Sequence, residues 1–279
     1  MRARRVLQVQ LRANSAFLRM IDLHCHILPA VDDGANSWQE SLEMARIAEA
    51  DGITDILATP HITPGVYDND REGIAAAVFE LNRRLTAAGI GVTIHVGADV
   101  HVDRELVGRI EAGAVPVVGD EMRYLMAEVP HQQVPPNVAQ LFYELRLRQV
   151  TPVITHPERN AAIQQDLGLL HDLVAAGALA QVTAGSLTGE FGPVARRAGL
   201  KMLERQLIHV IASDAHGPER RRPVLRAGVI KAASVVGEEA AQAMVNDTPK
   251  AILCGDLVSV LEPLDPKSSL RFVSRLFAR

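Results

Sequence analysis

The stretch Ile21-Asp22-Leu23-His24-Cys25-His26 reads as a buried strand and places two imidazoles two residues apart. Alternate side chains of a strand share a face, so His24 and His26 can converge on one metal ion. Similar residues recur where later apolar runs end. They are His61 in Ala-Thr-Pro-His, Glu128 in Leu-Met-Ala-Glu, His156 in Ile-Thr-His-Pro-Glu-Arg, and Asp214 with His216 in Ile-Ala-Ser-Asp-Ala-His. A lone H-x-H is a weak signal, but a series of imidazoles and carboxylates in the same setting is a metal-centre signature.

Outward from that stretch, β-branched apolar runs alternate with helical patterns. Strands are expected near 20–25, 53–59, 92–97, 124–129, 151–155, 179–184 and 208–213. The first helix carries a capping-box pattern, Ser37 with Glu40, an apolar stripe of Leu42, Ala45, Ile47 and Ala48, and a terminating Gly52. Further helices are expected over 71–88, 136–148, 165–176 and 193–204, with three shorter ones after Pro223. Seven strand–helix units imply a parallel sheet curled into a closed or nearly closed barrel. In such a barrel chemistry gathers where strands end, which is where the ligand-type residues fall. No glycine-rich phosphate loop follows any strand, so a nucleotide cradle is not supported.

Composition fits one catalytic domain. The 279 residues are 48% hydrophobic but only 4% aromatic, so the core must be aliphatic. A net charge of −4 gives no reason to expect nucleic-acid binding. Two cysteines, Cys25 and Cys254, cannot build a disulfide framework, which favours a reducing compartment, the cytoplasm. No run of eighteen apolar residues marks a membrane span. Residues 1–19 hold five arginines without the apolar core of a secretory signal. Met20 stands as a natural start, with 1–19 a disordered extension or a misassigned start, 20–258 the catalytic domain and 259–279 a tail. Of the ten histidines, His95, His101, His171 and His209 lie outside the strand-end series. His131, just after Glu128, is expected to line the site without binding metal.

The segments His24-Cys25-His26-Ile27-Leu28-Pro29, Asp32-Asp33-Gly34, Ala58-Thr59-Pro60-His61, Tyr124-Leu125-Met126-Ala127-Glu128, His156-Pro157-Glu158-Arg159-Asn160, Gly185-Ser186-Leu187-Thr188-Gly189 and Ser213-Asp214-Ala215-His216 resemble the polymerase-and-histidinol-phosphatase (PHP) superfamily. Within it they are most similar to manganese-dependent protein-tyrosine phosphatases of capsule and exopolysaccharide loci. The likeness runs from about Met20 to Leu257. It implies an α/β fold, a distorted (β/α)7 TIM-like barrel, with three divalent metals, manganese first and iron or zinc as alternatives. By position, His24, His26 and Asp214 would hold the first metal, Asp33 and His156 the second, and His61, Glu128 and His216 the third, with Asp99 bridging the first two. Where the family usually carries glutamate this chain has Asp99, one methylene shorter.

The implied reaction is hydrolysis of phosphotyrosine in proteins by attack of a metal-held hydroxide on phosphorus. Arg159 and Arg221 would bind the phosphate and, with Asp214, form the catalytic group. The implied partner is a bacterial tyrosine kinase of polysaccharide assembly, through its tyrosine-rich tail. The alternative is a phosphoesterase for a small metabolite such as histidinol phosphate or a sugar phosphate. A noncatalytic metal-bearing module and a related amidohydrolase are further readings; the first is disfavoured by the nearly full ligand set, the second by the two arginines. A cysteine phosphatase is excluded, because the place of the C-x5-R arginine is Val31 after Cys25 and Val260 after Cys254.

Overall fold

The computed structural model describes residues 19–119, 123–259 and 262–264. The expected extension and tail lie almost wholly outside that range. Among the described residues no helix is long and apolar enough to cross a membrane.

The first strand, β1 (Met20–Cys25), is buried along its whole length. Helix α1 (Trp38–Asp51) begins where Ser37 accepts a hydrogen bond from the Glu40 amide, and it ends at Gly52 with φ 97°. The capping box is displaced by one residue, since the Glu40 carboxylate reaches back to the Asn36 amide at 2.9 Å. There follow β2 (Ile53–Ala58), β3 (His61–Ile62), α2 (Arg71–Ala87), β4 (Thr93–Val96), β5 (Asp99–His101), α3 (Leu106–Glu111), β6 (Tyr124–Glu128), α4 (Val138–Leu147) and β7 (Thr151–Ile154). A 3-10 turn (Pro157–Arg159) then leads into α5 (Ala161–Gln165) and α6 (Gly168–Ala175). After these come β8 (Leu179–Thr183), α7 (Ala184–Thr188), α8 (Gly192–Glu204), β9 (Val210–Ala212), α9 (Arg226–Val236), α10 (Glu238–Ala243) and α11 (Asp247–Cys254).

All ladder pairs are parallel, in the orders β1-β2-β4 and β3-β5-β6-β7-β8-β9. The two ladders are pieces of one curled sheet, because past the ends of the strands expected at 53–59 and 92–97 the chain resumes pairing, as β3 and β5, with new neighbours. Pro60, with no amide hydrogen, separates β2 from β3, and its carbonyl accepts from the Asp99 amide at 3.1 Å. Gly97 separates β4 from β5; a Cβ there would stand 2.7 Å from Leu57 Cγ, so the chain dips against β2 where a larger residue would not fit. Past β9, the Asp214 amide donates to His24 O and the His26 amide to Ala215 O, each at 2.8 Å, which brings the last strand back beside the first.

Helices α3 and α5 were not expected, while the helix expected over 165–176 is α6, starting at Gly168. Between α5 and α6, Asp166 turns its carboxylate onto the Gly168 amide at 2.8 Å. Strand faces alternate as the pleat requires. Tyr124 and Met126 of β6, and Val210 and Ala212 of β9, belong to one apolar cluster. Their neighbours Leu125, Ala127 and Ile211 belong to another, larger one. Glu128 and Asp214 continue the first face at the strand ends, so the pleat carries both carboxylates to the same side. Cys25 is fully buried in the larger cluster.

Candidate metal centre

The strand ends bring the imidazoles and carboxylates into one knot. His24 Nε2 and His26 Nε2 are 3.1 Å apart, and they stand 3.4 and 3.5 Å from the same Asp214 oxygen, Oδ1. Asp99 Oδ2 lies 3.6 Å from His24 Nε2, 3.7 Å from His61 Nδ1 and 3.6 Å from His156 Nε2. Glu128 sits beside it, 3.4 Å from His61 Nδ1 and 3.8 Å from His156 Nε2. On the outer side, Asp33 Oδ1 is 3.6 Å from His61 Nε2 and 3.3 Å from His216 Nε2.

These separations test the fit to metal directly. Atoms about 2.0–2.2 Å from one cation lie roughly 3–3.6 Å from one another, longer than a good hydrogen bond and close to the spacings here. Asp99 Oδ2 is buried without a hydrogen-bond partner although three imidazole nitrogens face it. A buried carboxylate oxygen so placed is costly unless a cation meets it. Three overlapping clusters bring ligand atoms within 4.8 Å of one another: His26, Asp33, His61 and His216; His24, His26 and Asp99; and His61, Asp99 and Glu128. The neighbours differ from the division that the resemblance implies, although Glu128 keeps His61 beside it as implied. Asp33 groups with His61 and His216, while His156 stands beside Asp99 and Glu128 on the other side of the knot.

Asp214 has two faces. While Oδ1 looks at His24 and His26, Oδ2 receives the Arg221 guanidinium at 2.7 Å and that of Arg159 as well. One carboxylate thus joins the ligand knot to both arginines. Positive φ angles occur at His156 (36°), Asp214 (51°) and Arg221 (49°). A side chain on such a backbone is strained by about 1–3 kcal/mol; His156 stands two residues past β7 and Asp214 two residues past β9.

The electrostatics suit ligation. Burial holds the His24 and His156 imidazoles well below their usual pKa, so both are neutral and offer a lone pair. Burial would raise Asp214, but Arg159, His24 and their neighbours hold it well below the usual carboxylate range. Burial pushes Asp99 up to about 8, with Glu128 adding to the rise. Burial would lower His26, yet hydrogen bonds to Asp214 and Asp32 outweigh it and raise it to about 10.

Three further residues hold the ligands in place. Asp32 binds His26 Nδ1 at 2.7 Å and accepts from the Gly34 and His61 amides, turning His26 Nε2 inward. Gln181 Oε1 meets His24 Nδ1 at 3.1 Å and the His156 amide at 3.3 Å. Thr155 Oγ1 donates to Asp99 Oδ1 at 3.0 Å. Asp32 stood inside a motif without a role, and Gln181 was missed. Its signal was a polar side chain in the interior of an otherwise apolar strand. His131 stacks on His156 with 5.3 Å between ring centres and its Nε2 stands 3.6 Å from Glu128 Oε1. His95 pairs with Asp55, and His171 is in α6. A cavity of about 740 Å³ opens beside the knot between Asp33, His216 and Arg221 on one side and α1 on the other.

The chain is similar to several known proteins. Residues 20–254 match the family described as capsular polysaccharide synthesis, CpsB/CapC. The tyrosine-protein phosphatase YwqE of Bacillus subtilis is 42% identical over 202 residues, 72% of this chain and 79% of its own length. The putative tyrosine-protein phosphatase CapC of Staphylococcus aureus is 40% identical over 207 residues, 74% and 81% of the two chains. One of the crystal structures of YwqE from Bacillus subtilis and CpsB from Streptococcus pneumoniae, described as unique metal-dependent tyrosine phosphatases, superposes with a TM-score of 0.83. It is 36% identical and is matched over 88% of this chain and 98% of that one. The chain belongs to the CpsB/CapC family of capsular polysaccharide synthesis.

Proposed function

We propose that this protein is a metal-dependent phosphatase that hydrolyses phosphotyrosine in proteins, its substrate being the tyrosine-rich tail of a capsule or exopolysaccharide assembly kinase in the cytoplasm. The observation that carries the reading is Asp214, whose two oxygens join a knot of metal-ligand side chains to two guanidinium groups. Phosphate monoesters need both elements, cationic charge at the attacking side and a planar donor fork for the phosphoryl oxygens. The names of the relatives, tyrosine-protein phosphatases, support phosphotyrosine as the substrate class.

In this reading the fold is the distorted (β/α)7 barrel of the PHP kind, with β2/β3 and β4/β5 each counted as one stave and residues 20–258 as the catalytic unit. The donors fit three divalent ions, of which manganese is expected and iron or zinc is compatible with the imidazole–carboxylate set. His24, His26, Asp99 and Asp214 would hold the first. Asp99, Glu128 and His156 would hold the second, and Asp33, His61 and His216 the third. When bound, such ions lower the pKa of water toward neutrality and offset charge on the phosphoryl oxygens.

The protein's own groups do the rest. Arg159 and Arg221 exchange the Asp214 carboxylate for substrate oxygens and fix the phosphoryl group in line. No side chain is assigned as proton donor to the leaving phenolate. That phenolate needs little help, because tyrosine is acidic for an alcohol, at about pKa 10.

The test is a substrate panel with manganese-loaded protein: a phosphotyrosyl peptide, a phosphoseryl peptide, histidinol phosphate and a sugar phosphate. The phosphotyrosyl peptide should show the highest kcat/KM, by at least about tenfold. Equal or better turnover of histidinol phosphate would overturn the protein substrate and leave the small-metabolite phosphoesterase.

A further inference from the structure

Both candidate phosphate arginines lean on one aromatic ring. Arg159 Cζ is 4.7 Å and Arg221 Cζ 5.5 Å from the centre of Phe191, which occupies the turn between α7 and α8. The two arginines arrive from distant places, one from the 3-10 turn after β7 and the other from the loop after β9, so no shared backbone sets their mutual register. Each leaves its Nε buried without a hydrogen-bond partner. Asp214 and the Phe191 ring are therefore the contacts that fix how the two planes lie.

The chain is built to bring that ring in. A Cβ on Gly185 would stand 2.5 Å from Glu190 Oε2 and 3.1 Å from Phe191 Cε2. A larger residue there would turn the Glu190 carboxylate aside and push the Phe191 ring by a few tenths of an ångström. Gly189 and Gly192, with φ of 100° and 85°, shape the turn between α7 and α8. An aromatic face carries partial negative charge, which offsets the repulsion between two guanidinia and stays in place when they change partners.

We propose that Phe191 is a positioning residue, a shared aromatic platform that keeps Arg159 and Arg221 in the pose that receives phosphoryl oxygens when they leave Asp214. The proposal rests on the phosphatase reading of the same site and deepens it. Phe191 need not touch the substrate, and its action runs through the arginines.

The experiment compares Phe191→Leu, which keeps apolar bulk, with Phe191→Tyr, which keeps the aromatic face. Affinity for inorganic phosphate is measured by calorimetry on the manganese-loaded proteins, alongside kcat and KM on a phosphotyrosyl peptide, metal content and the thermal midpoint. In Phe191→Leu, phosphate affinity and kcat/KM should both fall roughly 5- to 30-fold, the size expected of two lost cation–π contacts, with metal content unchanged. Phe191→Tyr should restore both to within about twofold. If the leucine chain does not fold, Phe191→Met decides by the same readouts.

Unchanged phosphate affinity in the leucine variant, or equal losses in leucine and tyrosine variants, would overturn the platform. A parent that binds phosphate but leaves the phosphotyrosyl peptide intact would contradict the function and leave the platform to be judged on phosphate affinity. A parent that binds no phosphate would remove both.

Discussion

His156 and His209 are both buried imidazoles that burial holds neutral, yet they do different things because they lie at opposite ends of parallel strands. His209 stands just before β9, where its Nδ1 accepts the Ala180 amide at 3.1 Å and its Nε2 meets no partner. His156 stands just past β7, where its Nε2 faces Asp99 and Glu128. Burial of an imidazole therefore does not mark chemistry. What marks it is the carboxyl end of a strand with acidic groups converging on the ring, the end where barrel folds keep their loops free for function.

The largest expected effect follows from that contrast. Replacing His156 by alanine removes a donor that nothing nearby can replace, so phosphotyrosyl hydrolysis should fall by on the order of 10³-fold with loss of bound metal. His209→Asn keeps an acceptor for the Ala180 amide and should leave turnover within about twofold. Rate measurements on both variants beside metal analysis break the comparison if His156→Ala stays active or His209→Asn does not.

A smaller effect separates the two ends by pH. Burial lowers the His209 pKa from 6.5 to about 4, so the unfolded chain takes up this proton before the folded one does. Its contribution to stability is complete above pH 6.5 and is lost as the pH falls toward 4. At pH 5 the loss is about 2 kcal/mol relative to neutrality. Denaturant unfolding at pH 7 and pH 5 should show a shallower decline in His209→Asn than in the parent. Parallel declines would mean that His209 titrates normally.

Much of this division could be read in the sequence because the pleat and the end of a strand are local matters. His24, His26, Glu128, His156 and Asp214 follow short apolar runs, and the strand end aims each of them. The grouping of ligands was less legible. Asp33 lies in the loop after β1, and its neighbours depend on where that loop comes to rest, which brought it to His61 and His216 instead of His156. Gln181 could not be assigned either, because its contact with His24 crosses 157 residues of chain and exists only once the sheet has curled. The breaks at Pro60 and Gly97 hid β3 and β5 for a related reason. A strand that changes neighbours midway has no distinct period, and α3 is too short at six residues to show one.

The account stands most directly on metal. Protein stripped by chelation and dialysis would be titrated with manganese while bound metal per chain and phosphotyrosyl-peptide turnover are read on the same samples. The account predicts negligible turnover in the stripped protein, recovery as manganese is taken up, and neither uptake to the parent level nor recovery in His156→Ala. Full turnover in protein shown to be free of metal would contradict it.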